Sequence, residues 1–499
     1  MINFFPIKKV FNISKKYGHI IAIEQNNQSY SYKEFWNMIS NLSKKILYSK
    51  KNPYVAIVGN KNVLSYVSFF SVLLSGGTYI PITSKLPLER IFKIISASQA
   101  NIVICHSNQI RAFKKKCPKK IFFTEKDLSG KNNFDEIYPS KINKLAYIIF
   151  TSGSTGEPKG VCISRKSLEH YLKWLVTKLK IFKGSKCSQF PEIGFDLSVV
   201  DIYGSLCSGG TLCPADTPYS IAFPGRFIKD KKIEYLVSVP SLIDLILNSN
   251  DLTSYNLRSL KRVFFCGEPL LKRHAIGLFK AKKTIKIINT YGPTEATVSC
   301  TYKQINFKNI VSNPDPSIAI GKAIKGMKIQ LTENGKISKK SGEIIIYGEQ
   351  LASGYLKKED NKNKFYFPKN KVAFFRSGDY AIVKKGEMYF KNRIDNQVKV
   401  RGHRIELEEI NANIRSLGPG NVTTVVYLNK IICFIADKKK YKEKIIKKFL
   451  NKRIPDYMIP NYIFNLKKLP INQNGKLDYK FLFKVAKLKL NNKGQNVEK

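Results

Sequence analysis

The chain has 499 residues, 43% of them hydrophobic, and a formal net charge of +50 from 86 Lys and Arg against 36 Asp and Glu. That much apolar material exceeds one hydrophobic core and implies two or three globular units. Clustered, the charge would point to nucleic acid. Instead the lysines recur along the whole chain beside abundant Asn and Ile, as at Lys444, Lys447, Lys448 and Lys452. This is the residue usage of an A/T-rich coding sequence. No nucleic-acid partner is expected, and easier approach of an acidic partner is a physical consequence.

The nine cysteines are odd in number, scattered and without a C-x-x-C pair, which suits a reducing compartment. The five histidines never fall at ligand spacing, so a zinc site has no support. Apolar stretches such as 69–74 are too short to span a bilayer, and Lys8 and Lys9 interrupt any apolar leader. A cytoplasmic protein without stable membrane insertion is expected.

In chain order, short apolar runs at 54–58, 102–105, 121–123, 146–150, 235–239, 263–266 and 285–288 read as buried strands. Stretches with helical apolar spacing, such as 242–247, lie between several of them. The alternation predicts an α/β, multi-domain fold with largely parallel strands and ligand loops at their carboxyl ends. From Glu343 the pattern changes to short strands punctuated by Gly342, Gly348 and Gly354, then 387–390, a small β unit. A last segment from about Asp395 mixes strands and helices and has a glycine-marked loop near Gly475. The polar tail 491–499 is expected to fray.

The most informative stretch is 147–161, where an apolar strand runs into Thr151-Ser152-Gly153-Ser154-Thr155-Gly156-Glu157-Pro158-Lys159-Gly160. Glycines let backbone N–H groups approach anionic oxygens, four hydroxyls add donors and Lys159 adds charge, so the run is a phosphate cradle. Its spacing departs from G-x-x-x-x-G-K-[ST], which disfavours a P-loop NTPase.

This stretch resembles the signature loop of the adenylate-forming superfamily of acyl-CoA synthetases, luciferases and nonribosomal peptide synthetase adenylation domains. Further motifs follow in that family's order over nearly the whole chain. They are Ser31-Tyr32-Lys33-Glu34-Phe35, Gly76-Gly77-Thr78-Tyr79-Ile80-Pro81-Ile82, Asn289-Thr290-Tyr291-Gly292-Pro293-Thr294-Glu295, Phe375-Arg376-Ser377-Gly378-Asp379, Arg393-Ile394-Asp395-Asn396-Gln397-Val398-Lys399 and Asn474-Gly475-Lys476. The resemblance implies a large N-terminal domain over 1–394, with layered sheets and a small β subdomain, and a small mobile α+β domain over 395–499. Three positions depart from the family pattern: Asn392 in place of glycine, Tyr479 in place of arginine, and Ser377 in place of threonine.

It also implies roles. Thr151, Ser152, Gly153, Ser154, Thr155, Gly156 and Lys159 would grip the phosphates of ATP, and Glu295 would hold Mg²⁺. Glu268, Asn289, Tyr291, Gly292, Thr294, Asp379 and Arg393 would surround the nucleoside, with Tyr291 against adenine and Asp379 accepting ribose hydroxyls. Lys476 would bridge the substrate carboxylate and the α-phosphate. Thr151, Glu295 and Lys476 form the expected catalytic set.

Asp196, in Phe195-Asp196-Leu197-Ser198 at the start of a predicted helix, either caps that helix or, as in amino-acid-activating relatives, pairs with a substrate ammonium. Residues 264–269 and 195–210 most resemble D-alanine:D-alanyl carrier protein ligases. In those enzymes the cysteine matching Cys266 helps select a small D-residue, and Val298 would share that wall; the alternative reading of Cys266 is a small core residue at a strand end. A hinge at Asp395 would bring Gly402, Arg404 and Glu406 toward the site for transfer to the phosphopantetheine thiol of an acidic carrier protein. The alternatives are a free-standing peptide-synthetase-type enzyme for another amino acid and, behind it, an acyl-CoA synthetase. A non-catalytic scaffold would have lost Glu295 or Lys476, and both are present.

Overall fold

The computed structural model describes residues 3–130, 142–153, 157–311, 315–368, 372–395, 397–437, 439–471 and 477–494. The chain divides into two compact units. The first comprises Met1–Ser84, Ile94–Phe150 and Gly160–Ile394; the second comprises Lys85–Lys93, Thr151–Lys159 and Asp395–Lys499.

In the first unit a nine-stranded sheet runs through Lys322–Ala323, Thr301–Ile305, Lys286–Tyr291, Arg262–Phe265, Tyr235–Ser238, Lys186–Gln189, Thr211–Pro214, Ile21–Gln25 and Gln28–Ser31. Its six inner strands, from Lys286–Tyr291 to Ile21–Gln25, are parallel. A six-stranded sheet runs through Ile121–Phe123, Ile102–Ile104, Tyr54–Gly59, Thr78–Thr83, Leu145–Thr151 and Lys159–Ser164, the first five parallel. Strands buried on both faces must be apolar throughout, which is why these runs were continuous rather than alternating. The helix Val63–Leu74 is buried from residue 64 to 74, as a helix apolar all round must be. One core joins Ile57 and Tyr147 of one sheet to Leu212 and Phe264 of the other. A third, antiparallel sheet is built on Met327–Glu333, Ser341–Gly348, Phe374–Lys384 and Glu387–Arg393.

The first two motifs serve this scaffold. Ser31 and Glu34 form a reciprocal capping box on the helix Tyr32–Ser49, and the Tyr32 hydroxyl donates to the carbonyls of Leu206 and Gly210. A Cβ on Gly77 would lie 2.8 Å from the Pro53 oxygen, so only glycine leads into Thr78–Thr83.

The second unit holds the hairpin Gln397–Val400/His403–Glu406 and a three-stranded sheet of Asn421–Tyr427, Lys430–Ala436 and Tyr462–Leu466. Lys430–Ala436 sends Ile431, Cys433 and Ile435 into one core and Ile432 and Phe434 into another, the period of two expected of a central strand. Arg401 and Gly402, φ 50° and 80°, make the two-residue hairpin turn. The tail expected to fray from 491 is helical to Gly494 in Tyr479–Gly494. Among the described residues no helix is long and apolar enough to cross a membrane, and none of the nine cysteines forms a disulfide.

Candidate functional site

The parallel strands Tyr235–Ser238, Arg262–Phe265 and Lys286–Tyr291 end side by side, and the ends and following loops of the last two carry Cys266, Glu268, Asn289, Tyr291, Gly292, Thr294, Glu295 and Val298. Asn289 donates from Nδ2 to the Ala319 carbonyl at 3.0 Å, while its buried Oδ1 has no partner. Tyr291 donates to Asp379 Oδ2 at 2.6 Å, and Arg393 donates to Asp379 Oδ1 at 2.5 Å. Asp379 is 1% exposed. Burial, followed by the Asp379 charge, pushes the Tyr291 hydroxyl well above its ordinary pKa, so it remains a donor.

Asp379 owes its aim to an irregularity in the sheet. The pairing of Ser341–Gly348 with Phe374–Lys384 shifts register between Glu343 and Ile345, and Gly378 adopts φ 72°, a bulge that re-aims the following side chain. Ser377 donates to the Ile344 carbonyl and accepts from the Asp379 N–H. Both bonds need only a hydroxyl, so serine serves where threonine is usual. Asn392 stays outside the left-handed region, so that position does not require glycine here.

Beyond Tyr291 the chain folds back sharply: Thr294–Ala296 form a 3-10 turn, Thr297 and Val298 follow at φ 53° and 71°, and the Cys300 N–H returns to the Tyr291 carbonyl at 2.8 Å. Two consecutive β-branched residues in that region are strained, a feature that accumulates at functional sites. Gly292 is obligatory, because a Cβ there would meet the Ser299 Cα at 2.5 Å. The turn buries Glu295 completely (0% exposed), and Tyr355 donates to its Oε1 at 2.5 Å. It also presents the Val298 carbonyl to the Cys266 thiol at 3.6 Å, so these two residues meet. Glu268 accepts from the Ser241 N–H at 2.9 Å, at the start of the helix Ser241–Asn248.

Asp196 precedes the helix Ser198–Leu206, whose cap position is Leu197. The Asp196 charge helps to raise the pKa of buried Tyr147 and Tyr171, after desolvation, and Tyr171 also feels Cys266. The Ser299 hydroxyl donates to Tyr171 at 3.2 Å. Sequence reasoning missed Tyr171, Tyr355 and Asp201. Asp201 is buried without a hydrogen-bond partner at either oxygen, and burial raises its pKa well above the ordinary carboxylate value. An acid inside the apolar run 199–203 was the available signal for it.

The second unit holds the described part of the glycine-rich loop. The Ser152 hydroxyl donates to the Arg404 carbonyl at 2.9 Å and accepts from the Glu406 N–H at 3.2 Å. Thr151 donates weakly to the Lys159 carbonyl at 3.5 Å. A Cβ on Gly153 would strike the Glu157 oxygen at 2.1 Å. Arg90 and Glu409 form a buried ion pair. Burial is the largest influence on Glu409 and pushes its pKa up, with Arg90 and the Gly153 backbone opposing. Asp395 accepts from the Gln397 N–H at 3.3 Å. Ser154, Thr155, Gly156, Asn396 and Lys476 lie outside the described residues.

These residues fit an adenine nucleotide and its metal. Asn289 Oδ1 is a buried acceptor waiting for a donor such as an amino group, and Asp379 is a carboxylate fixed by a phenol and a guanidinium. Among the described residues no group of three or more His, Cys, Asp or Glu could hold a metal. Mg²⁺ takes one or two carboxylates and completes its shell with phosphate and water, and Glu295 is a single, fully buried carboxylate.

The sequence pattern of the AMP-binding enzyme family matches residues 11–356. The chain is 32% identical to a D-alanine--D-alanyl carrier protein ligase of Listeria monocytogenes over 473 residues, covering 88% of this chain and 90% of that one. It is 32% identical to the protein of the same name from Staphylococcus epidermidis, covering 93% and 96%. The crystal structure of the Vibrio cholerae adenylation domain AlmE in complex with glycyl-adenosine-5'-phosphate superposes with a TM-score of 0.86 at 25% identity, over 98% of each chain. With a family match across more than half its length and relatives aligned over nearly all of it, the chain belongs to the AMP-binding enzyme family and is an adenylate-forming ligase.

Proposed function

We propose that this ligase activates D-alanine with ATP as D-alanyl-AMP, releasing pyrophosphate, and then passes the aminoacyl group to the phosphopantetheine thiol of a carrier protein. The observation that carries the reading is the meeting, at the carboxyl ends of Arg262–Phe265 and Lys286–Tyr291, of Asn289 and the Tyr291–Asp379–Arg393 network with the Cys266–Val298 contact. The relatives named as carrier protein ligases support the substrate and the acceptor.

Attack of a carboxylate on the α-phosphorus brings two anions together, so the protein contributes position and charge. Asn289 Oδ1 would accept from the adenine amino group. Asp379, held by Tyr291 and Arg393, would accept the ribose hydroxyls with its remaining lone pairs. Mg²⁺ held at Glu295 and by phosphate oxygens would supply neutralising charge. Lys476 would bridge carboxylate and α-phosphate, and Thr151, Ser152 and Lys159, with Ser154 and Thr155, would hold the β and γ phosphates. Asp196 would pair with the substrate ammonium, and Cys266 with Val298 would leave room for no more than a small side chain. After adenylation the thiolate attacks the acyl carbon, AMP leaves, and Asp395 would be the hinge between the two half-reactions. An acidic carrier would be drawn to a chain of charge +50.

Glycine is the second reading, favoured by the glycyl-adenylate-bound neighbour. Substrate-dependent exchange of labelled pyrophosphate into ATP, with D-alanine, L-alanine, glycine and short fatty acids, separates these. D-alanine is expected to dominate. Asp196→Ala is expected to lower kcat/KM for the amino acid by about 100-fold through loss of a charged partner. Exchange with fatty acids alone, or an indifferent Asp196 variant, would remove the amino-acid reading.

A further inference from the structure

A carboxylate buried as completely as Glu295 has its orientation set by whatever donates to it, because in a low-dielectric interior a charge-assisted hydrogen bond is strong and directional. The Tyr355 hydroxyl donates to Glu295 Oε1 at 2.5 Å. Tyr355 is itself fixed from several sides. Its N–H donates to Asn361 Oδ1 at 2.8 Å, and its ring meets Phe365 edge-on at 5.3 Å and 78°. It bridges Val161, flanked by Leu356 N–H to the Gly160 carbonyl at 2.7 Å and Cys162 N–H to the Gly354 carbonyl at 3.0 Å. Gly354 adopts φ 109°, and a Cβ there would lie 2.8 Å from Asn361 Oδ1, so glycine lets Asn361 reach the Tyr355 amide.

The same segment grips the backbone of the turn that carries Glu295. The Ala352 N–H donates to the Glu295 carbonyl at 2.8 Å, and the Gln350 carbonyl accepts from Thr297 Oγ1 at 2.6 Å. Residues 350–356 thus tie the strand Lys159–Ser164 to the strained turn at 294–298.

We infer that Tyr355 is a positioning residue for the divalent cation, acting through Glu295: its phenol locks the carboxylate plane so that the group meets the metal–nucleotide complex already turned. This rests on the reading of Glu295 as the metal-holding carboxylate. Partners of this kind commonly govern metal affinity by about 10–100-fold.

The test is Tyr355→Phe, which keeps the ring and backbone contacts and removes the donor. Mn²⁺ binding to the protein saturated with a non-hydrolysable ATP analogue is followed by electron paramagnetic resonance, and AMP binding without metal by calorimetry. Mn²⁺ is expected to bind about tenfold more weakly, with AMP affinity unchanged. Unchanged Mn²⁺ affinity overturns the inference; so does parallel weakening of Mn²⁺ and AMP, which would signify general loosening. Glu295→Gln separates the two levels. If it leaves Mn²⁺ binding intact, the metal reading of Glu295 fails and the positioning role with it; if it abolishes binding while Tyr355→Phe does nothing, only the positioning role fails.

Discussion

Two buried arginine–carboxylate pairs, one in each unit, have opposite characters. Asp379 accepts from Arg393 at one oxygen and from Tyr291 at the other, and its N–H is satisfied by Ser377. Glu409 accepts from Arg90 at one oxygen, and burial outweighs both Arg90 and the Gly153 backbone in setting its pKa. The first pair is part of a completed network, the arrangement in which a buried polar cluster rigidifies its surroundings. The second carries a desolvation cost that its partner does not fully offset. A pair can therefore be equally buried and serve either as a fixed platform or as a contact close to exchange.

The largest expected effect breaks the first pair. Arg393→Leu strands a carboxylate beside Tyr291, and losing one partner of a buried pair costs roughly 3–5 kcal/mol. Thermal melts of the variant are expected to show a clear loss, and AMP affinity by calorimetry should fall with it. A variant that melts like the parent would mean that the network is not what holds Asp379. The second pair is expected to respond differently. Arg90→Met alone should destabilise, while Arg90→Met with Glu409→Met should return to or exceed parental stability, because replacing a buried pair by apolar groups of similar volume is often neutral or stabilising by about 1–4 kcal/mol. A double variant no better than the single would make the two pairs alike.

The sequence made one of these sites legible and concealed the other, for physical reasons. Asp379 and Arg393 lie in recognisable motifs, within the strands Phe374–Lys384 and Glu387–Arg393, and the apolar runs at 54–58, 102–105, 121–123, 235–239, 263–266 and 285–288 became strands of the two large sheets, since two-sided burial leaves a continuous apolar signature. Lys186–Gln189 and Thr211–Pro214 were unreadable: four residues each, carrying Cys, Ser, Gln and Thr, they are strands because their neighbours pair with them. Nothing around Arg90 names a partner 319 residues away. Tyr355 was hidden likewise, because its meaning lies in a contact with Glu295 across 60 positions. A lone tyrosine after a glycine carries no periodicity to read.

The smallest effect sharpens the comparison through pH. The pKa of Glu409 is raised on folding, so folding favours its protonated form. The stability linked to that proton is fully present below the unfolded carboxylate value of about 4.3 and is lost as pH rises through the folded value. Glu409→Gln keeps an acceptor for Arg90 and removes the titration. The melting temperature of the parent relative to this variant should therefore fall as pH is raised from about 4 to 7, by a few degrees at most for a chain of this size. A difference that stays flat, or rises with pH, would mean that Arg90 outweighs burial after all. Glu409 would then be held by its partner as firmly as Asp379 is, and the contrast between the two pairs would disappear.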